Sequence, residues 1–99
     1  MTIDFTQLEA NVDQAVTLLK AMANNHRLMI LCVLQENELS VSQLNEIIPV
    51  AQSSLSQHLA WLRREGFVKT RRDSQTIYYS LDSKEVAALI ATLHGQFCC

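Results

Sequence analysis

Glycine and proline, the residues that most often interrupt helices and strands, are scarce here: the 99 residues contain two glycines and one proline. That composition excludes collagen-like and low-complexity chains, and the sequence shows neither an internal repeat nor a linker. No apolar run approaches the roughly 20 residues of a membrane-spanning helix. The first ten residues, MTIDFTQLEA, lack the basic stretch and apolar core of a secretory signal. We therefore predict one domain over residues 1–99, located in the cytoplasm and without membrane contact.

Cysteine is also rare, because the chain contains only Cys32 and the adjacent C-terminal pair Cys98–Cys99. An odd number of cysteines at this uneven spacing does not suit a disulfide scaffold, and cytosolic thiols are mostly reduced. A lone cysteine in an apolar helix, such as Cys32, usually serves only packing. The residues alone leave open whether the terminal pair is structural, metal-binding, reactive or without a role.

Positive charge is not in excess, since the net charge is −2, and this argues against a uniformly basic nucleic-acid binder. The distribution of charge is uneven, however. Residues 1–51 contain two basic and six acidic side chains, whereas residues 52–79 contain five basic and two acidic ones. The five basic residues fall within the ten positions from Arg63 to Arg72. This cluster indicates either a nucleic-acid footprint or an ordinary solvated charge run.

Apolar residues recur at steps of three and four along most of the chain, which predicts amphipathic helices. We expect helices at about Phe5–Ala23, around Leu28–Leu34, at Val41–Ile48 and at Ser53–Glu65, with a short loop at Asn37–Leu39. The segment FVKTRRDSQTIYYSL predicts two strands around a turn at Asp73–Ser74, and a last helix follows Asp82–Ser83. The predicted fold is mainly α with a small β-hairpin, in the order α-α-α-α-β-β-α.

The third and fourth helices, joined by a tight turn at Pro49 and followed by a hairpin, predict a winged helix-turn-helix. Ser40 suits the N-cap of the third helix, and Gly66 suits the end of the fourth. In this fold the fourth helix enters the DNA major groove with its N-terminal residues leading. Those residues are polar and can hydrogen-bond base edges: Gln52, Ser53, Ser54, Ser56, Gln57 and His58. A capped and solvated helix face is the alternative interpretation.

The hairpin of this fold is called the wing, and arginines lie within it and before it. Arg71 and Arg72 precede the turn, where arginines suit contact with phosphates or with the narrow minor groove. Arg63 and Arg64, at the end of the fourth helix, extend the positive surface. We expect loss of Arg71 or Arg72 to weaken binding to most DNA sequences and to flatten its salt dependence.

The first and last helices carry apolar stripes but are not needed for the unit that reads DNA. Two such stripes at the ends of a short chain suggest a homodimer, because small domains gain stability by associating. A homodimer would place two reading helices about one DNA turn, roughly 34 Å, apart on a palindromic double-stranded operator. The alternative is that both stripes close the core of a monomer.

Four segments carry a resemblance to a known family: LKAMANNHRLMILCVL, ELSVSQL, QSSLSQHLAWLRREGFV and RRDSQTIYYSL. They resemble the ArsR/SmtB family of winged-helix repressors over nearly the whole chain. The resemblance implies a dimeric repressor whose first and last helices form the interface. It also implies DNA contact from the matching positions Gln52, Ser53, Ser54, Ser56 and Gln57.

The sequence departs from the metal-sensing members of that family at two sites. Members that sense arsenic and cadmium carry ELCVCDL in the third helix, where this chain has ELSVSQL with Ser40 and Ser42. Serine hydroxyls are poor ligands for thiophilic metals. Zinc-sensing members place one Asp and three His on the last helix, whereas this chain has only His94 there. We therefore expect neither of these metal sites and no cofactor.

Cys32 and Cys98 resemble the paired cysteines of the persulfide-responsive branch of the family, typified by HlyU, BigR and SqrR. The resemblance implies that reactive sulfur species are the inducer, that the two cysteines become linked by a disulfide or short polysulfide, and that the repressor then leaves its DNA. The alternative is a metal-responsive repressor with ligands among Cys32, His94, Cys98 and Cys99. An enzyme with a Cys98–His94 pair is disfavoured, because the sequence offers no third orienting group and no oxyanion loop. Cys99 has no assigned role.

Overall fold

A computed structural model describes residues 2–97 as five helices and a small three-stranded sheet. In chain order the elements are α1 (Phe5–Met22), α2 (Asn25–Val33), β1 (Leu39–Ser40), α3 (Val41–Ile47), α4 (Gln52–Arg64), β2 (Val68–Asp73), β3 (Thr76–Leu81) and α5 (Lys84–Phe97). This order confirms the predicted winged helix-turn-helix. It corrects one detail, because the end of the segment predicted as a loop before α3 lies in β1, where it pairs with β3.

Side-chain caps determine where most of the helices begin. Asp4 before α1 and Asn24 before α2 each accept hydrogen bonds from backbone N–H groups in the first turn of their helix. Ser40 and Gln43 form a reciprocal capping box at α3, which confirms Ser40 as the N-cap. At α5, Ser83 Oγ accepts a hydrogen bond from the N–H of Val86 at 3.1 Å. The polar residues between the apolar stripes therefore set the helix limits.

The tight turn between α3 and α4 is fixed by an asparagine. Asn45 Nδ2 donates to the carbonyl oxygen of Ile48 at 3.1 Å and to that of Val50 at 2.7 Å. Both carbonyls flank Pro49, which cannot continue the helix hydrogen-bonding pattern. After α4, Gly66 adopts a φ of 81°, a conformation that favours glycine at the end of a helix. These two turns set the direction of α4 relative to α3 and to the hairpin.

The sheet has the order β1-β3-β2, and both pairs are antiparallel. Tyr78 of β3 lies opposite Ser40 of β1 on one side and opposite Arg71 of β2 on the other. β1 contributes only two residues, so the hairpin beyond Tyr78 is a two-stranded ribbon. The turn at its tip includes Ser74, with a φ of 57°. This ribbon is the predicted wing. Its turn lies at Ser74–Gln75, one residue later than the predicted Asp73–Ser74, because Asp73 still pairs with Thr76 across the ribbon.

The core of the protomer joins α2, α3, α4 and α5 beneath the sheet. Its members are apolar and come from the helices, from the residues next to their ends and from the start of β2: Ala21, Met22, Ile30, Leu31, Leu34, Leu44, Ile48, Leu55, Leu59, Leu62, Phe67, Val68, Val86 and Ile90. Among the described residues, no polar or charged residue is buried with them. α1 contributes to this core only near its C-terminus, so most of its length lies outside it.

No helix within residues 2–97 is both long enough and apolar enough to cross a lipid bilayer.

Candidate nucleic-acid interface

Helix α4 presents one polar face to solvent and one apolar face to the core. Leu55, Leu59 and Leu62 are fully buried against the neighbouring helices. On the opposite side the polar residues at the N-terminal end are exposed: Gln52, Ser53, Ser56 and Gln57. Because positions three and four apart lie on one face of a helix, these four side chains form one surface. We call it the reading face.

Arg63 and Arg64 extend the reading face toward the C-terminal end of α4. Both arginines are exposed. Arg63 is seven residues after Ser56 and Arg64 is seven after Gln57, so each lies two helical turns further along the same side. A polar surface that ends in two cations is suited to contact with base edges and with the phosphates beside them.

Ser54 and His58, also predicted as DNA contacts, lie at the border of the reading face. Both are half-buried. The His58 ring packs against the ring of His26 in α2, with centroids 5.7 Å apart and planes at 73°. Desolvation lowers the pKa of His58 below its ordinary value, and the nearby charges of Arg27 and His26 act in the same direction. The structure therefore places His58 at the packing contact between α2 and α4.

The N-terminus of α4 differs from the other helix starts in this structure. Its N-cap residue is Ala51, whose side chain makes no capping hydrogen bond. The first backbone N–H groups of a helix have no partner within the helix. The positive end of α4 is therefore open at the point where the reading face begins, and anionic groups bind favourably at such ends.

The two wing arginines have different surroundings. Arg71 donates from Nη2 and Nε to Glu38 Oε1 at 2.7 and 3.0 Å, and its guanidinium lies 4.9 Å from the centre of the Tyr78 ring. Arg72 is exposed, and its Nε donates to the backbone carbonyl of Ser74 at 3.1 Å. Arg71 and Arg72 are adjacent and alike in the sequence, whereas the structure gives Arg71 an acidic partner, Glu38, which immediately precedes β1.

Arg27 of α2 packs against α4, a role that the sequence did not predict. Its Nε and Nη2 donate to the carbonyl oxygens of Ala21 and Lys20, both at 2.9 Å. Its guanidinium also lies 4.5 Å from the centre of the Trp61 ring in α4. Arg27 therefore connects the last turn of α1 to α2 and to the reading helix. Only its position after a cap residue was visible in the sequence, and that gives no indication of these partners.

A second surface, formed by α1 and α5, is apolar and exposed. Phe5, Leu8 and Val12 of the α1 stripe are 71%, 46% and 47% exposed, and Phe97 of α5 is 75% exposed. The predicted apolar stripe of α5 is only partly exposed, since Val86 and Ile90 are fully buried in the core whereas Phe97 is exposed. An open cavity of about 780 Å³ lies between the two helices and is lined by Leu18, Leu19 and Leu89 among others. We call this surface the terminal-helix face.

Cys32 lies half-buried in α2, next to the C-terminal part of α5. Cys32 and His94 line the same small cavity of about 220 Å³, together with Gln35, Glu36 and Asn37. Cys98 and Cys99 lie outside the described residues. Within residues 2–97 there is no group of three or more His, Cys, Asp or Glu side chains placed to hold a metal ion. Ser40, at one of the two positions where the sequence departs from the metal-binding motif, is part of the α3 capping box.

Comparison with known proteins identifies the family. A model of bacterial regulatory proteins of the arsR family matches residues 24–70, which run from the cap of α2 into β2. The transcriptional activator HlyU of Vibrio cholerae is 53% identical over 96 residues, covering 97% of this chain and 89% of that protein. This chain belongs to the arsR family. Another family member, the biofilm growth-associated repressor of Xylella fastidiosa, is 38% identical over 92% of this chain and 80% of its own length.

Solved structures of arsR-family proteins share the fold. The structure of reduced HlyU from Vibrio cholerae has a TM-score of 0.90 and 55% identity, covering 94% of this chain and 98% of that one. A homodimeric winged helix-turn-helix DNA-binding domain, Mb0332 from Mycobacterium bovis, has a TM-score of 0.79 and 29% identity, covering 97% and 89%. These arsR-family relatives are transcriptional regulators and not enzymes, and this chain is accordingly a DNA-binding transcriptional regulator.

Proposed function

We propose that this regulator binds a palindromic operator as a homodimer, represses transcription from it, and is released when persulfides oxidise Cys32 and Cys98. The observation that carries the DNA part is the reading face, a continuous polar surface that ends in Arg63 and Arg64 on one side of α4. The observation that carries the sulfur part is the cavity shared by Cys32 and His94.

The proposed DNA-binding residues are those of the reading face, its borders and the wing, and they act either by contact with DNA or by positioning α4. The polar residues of α4 hydrogen-bond base edges in the major groove, and the arginines approach the phosphates. The proposed set is Gln52, Ser53, Ser54, Ser56, Gln57, His58, Arg63, Arg64, Arg71 and Arg72. Within it, the exposed residues at the start of α4 contribute the sequence preference, because they are closest to the open helix end. His58, turned toward His26, acts on the position of α4 rather than on a base.

The terminal-helix face is the dimer interface in this proposal. Large apolar side chains such as Phe5 and Phe97 are exposed on one protomer, and contiguous exposed apolar surface marks interaction sites. A second copy offers the same apolar surface, as a two-fold symmetric contact requires. The homodimeric state of the Mb0332 domain supports the assignment. The dimer carries two α4 helices, and this is why a palindromic operator is expected.

The chemical step is an exchange of sulfur between thiols. A Cys32 thiolate attacks the outer sulfur of a low-molecular-weight persulfide RSSH. The S–S bond of the persulfide breaks, the RS group leaves as the thiol RSH, and the outer sulfur stays on Cys32 as a Cys32 persulfide. The Cys98 thiolate then attacks the inner sulfur of that persulfide and displaces hydrogen sulfide. The net reaction consumes RSSH and two thiols and yields one disulfide, RSH and H₂S, so the outer sulfur is reduced as the cysteines are oxidised.

Two observations support the placement of this step. His94 precedes Cys98 by four residues in the sequence and shares the cavity beside Cys32, which is only half-buried and so open to small reactants. The solved structure of one relative is described as reduced HlyU, so that protein has a defined redox state. A link from α2 to the C-terminus would shift α5, which belongs to the terminal-helix face. A coupling of about 1–3 kcal/mol would weaken DNA binding about 5- to 150-fold.

Mass spectrometry after treatment with an organic persulfide tests the sulfur proposal. We expect an intramolecular Cys32–Cys98 link, absent from Cys32→Ser and from Cys98→Ser, together with release of DNA by the wild type alone. Cys99→Ser is the matched control and should behave as the wild type. Release of DNA from both single variants at wild-type persulfide concentrations would overturn the proposal.

The metal-responsive alternative is separated in the same assay. It has support from the Cys32–His94 cavity, since thiolate and imidazole are both zinc ligands. Zn²⁺ or arsenite would then release the protein from DNA, and persulfide would have no effect. The sulfur proposal predicts the opposite result.

A further inference from the structure

We propose that the ion pair between Glu38 and Arg71 holds the wing in its DNA-binding position, and that Arg71 is a positioning residue rather than a phosphate contact. This inference rests on the proposed function, because it concerns how the wing of a DNA-binding protein is placed. It changes the role of one residue in the proposed contact set and adds Glu38, which that set does not contain.

The ion pair joins β2 to the residue that immediately precedes β1, and β1 and β2 are the two outer strands of the sheet. Glu38 immediately precedes β1, and Arg71 lies in β2, 33 positions further along the chain. Arg71 Nη2 and Nε both donate to Glu38 Oε1, at 2.7 and 3.0 Å. Since β3 lies between β1 and β2, the arginine side chain crosses a whole strand to reach its partner. The pair therefore ties the hairpin to the chain segment that leads into α3.

The Tyr78 ring packs against the Arg71 side chain where that side chain passes over β3. It is the β3 residue opposite both Ser40 of β1 and Arg71 of β2, and residues directly opposite in a sheet project from the same face. The Arg71 guanidinium lies 4.9 Å from the centre of the Tyr78 ring, a cation–π contact. Glu38 meets Arg71 beside this ring, since Glu38 Oε1 accepts a hydrogen bond from Arg71 Nη2 at 2.7 Å. Arg71 is thus held by an acidic partner at its end and by an aromatic ring beneath it.

The ion pair lies at the point where the wing loses its third strand. The last β1 residue, Ser40, pairs with Tyr78, and the following pairs Arg72–Ile77 and Asp73–Thr76 involve β2 and β3 only. A two-stranded ribbon has little stability of its own. Ser40 is also the N-cap of α3. An attachment at this level therefore fixes the angle between the ribbon and the helix-turn-helix.

The charge of Arg71 is largely compensated in this arrangement. The hydrogen bond from Arg71 lowers the pKa of the Glu38 carboxyl, so the partner remains ionised. Arg72 alternates to the other face of the ribbon and has no comparable acidic partner within the described residues. Of the two wing arginines, Arg72 is thus the one that offers an uncompensated cation to a phosphate.

Glu38→Gln gives a test in which positioning and simple electrostatics predict opposite signs. The change removes a negative charge from the DNA-binding side, so electrostatics alone predicts tighter binding. Positioning predicts weaker binding, by about twofold to fivefold for each wing. The probe is a duplex selected by the wild-type protein from a random-sequence pool, and the dissociation constant is measured at several salt concentrations. Unchanged or tighter binding by Glu38→Gln would overturn the inference.

The salt dependence separates Arg71 from its neighbour. Arg72→Gln, the matched control, should lower the slope of log affinity against log salt by about 0.9, the value for one lost phosphate contact. Arg71→Gln should weaken binding as Glu38→Gln does, and with the same slope as the wild type. A slope reduced by about 0.9 in Arg71→Gln would show a phosphate contact and would overturn the positioning role.

Exchange of the two charges is the third arm of the test. The double variant Glu38→Arg with Arg71→Glu can form the same ion pair in reverse, so positioning predicts recovery of most of the affinity lost in each single variant. A phosphate contact would not be restored by this exchange, and failure to recover would count against the inference. A wild-type protein that selects no duplex would overturn the proposed function as well, whereas the outcomes above overturn the wing placement alone.

Discussion

Helices α1 and α4 carry the same apolar periodicity, but the protomer buries the apolar stripe of α4 and leaves most of the α1 stripe exposed. Leu55, Leu59 and Leu62 of α4 are 0% exposed. The stripe of α1 is about half exposed, with Leu8 at 46% and Val12 at 47%. On α4, only the polar and basic side is left in water, whereas on α1 the apolar stripe is left in water together with the polar side.

This difference suits the reading face and the terminal-helix face to different partners. The hydrophobic effect stabilises a surface only when it is removed from water, and the α1 stripe lacks that covering within one protomer. The reading face needs no covering to be stable in water. We therefore propose that α1 and α5 contact a second protomer, and that α4 and the wing contact DNA. The following predictions test that assignment.

The largest effect is expected from a charge on the terminal-helix face. Val12→Glu places one carboxylate on each side of a symmetric interface, and an unpaired buried charge is strongly unfavourable. We expect predominantly monomeric protein by sedimentation and DNA binding weakened at least about a hundredfold. Gln7→Glu, on the opposite side of the same helix, adds the same charge and should change neither property. A Val12→Glu monomer that keeps wild-type affinity for DNA would contradict the proposed role of the terminal-helix face, because DNA binding would then not depend on it.

A smaller effect is expected at Arg27, which connects the two regions. Arg27→Ala removes two hydrogen bonds to carbonyl oxygens of α1 and the contact with Trp61 of α4. The free energy of unfolding should fall by about 2–3 kcal/mol, as measured by urea denaturation. Arg63→Ala, on the exposed side of α4, should leave stability nearly unchanged while weakening DNA binding. Equal stability losses in the two variants would contradict the separation of packing arginines from DNA-contacting arginines.

The smallest effect concerns the pH dependence at His58. Its pKa in the folded chain is lowered from the ordinary value of 6.5, chiefly by desolvation, so the unfolded chain binds the proton more readily. The stability that follows from the neutral ring is present above pH 6.5 and is lost as the pH falls through the lowered pKa. His58→Gln should remove part of that loss. An NMR titration that places the His58 pKa at or above 6.5 would contradict this.

Much of the fold was predictable because its signals are local. The capping box at Ser40 and Gln43 involves residues three apart, and the left-handed position after α4 is occupied by Gly66. The apolar steps of α4 predicted its buried face as well as its exposed one. Each of these features depends on neighbours within one or two turns of chain, so residue type and spacing were sufficient.

The remaining features depend on contacts between distant segments. The partner of Arg71 is 33 positions away in Glu38, and β1 exists only because Leu39 and Ser40 meet β3. Periodicity identifies an apolar stripe but cannot tell whether the stripe lies in the protomer core or on its surface, as α1 and α4 demonstrate. For the same reason the sequence could not show that His58 turns toward His26 rather than toward solvent.

The stoichiometry of the protein–DNA complex tests the central assignment of the two surfaces most directly. Sedimentation of the wild type with a selected palindromic duplex, under reducing conditions, counts the chains bound to each DNA molecule. The assignment predicts two chains for each duplex, and loss of that complex in Val12→Glu with retention in Gln7→Glu. A complex of one chain per duplex, formed with the same affinity by the wild type and by Val12→Glu, would contradict it.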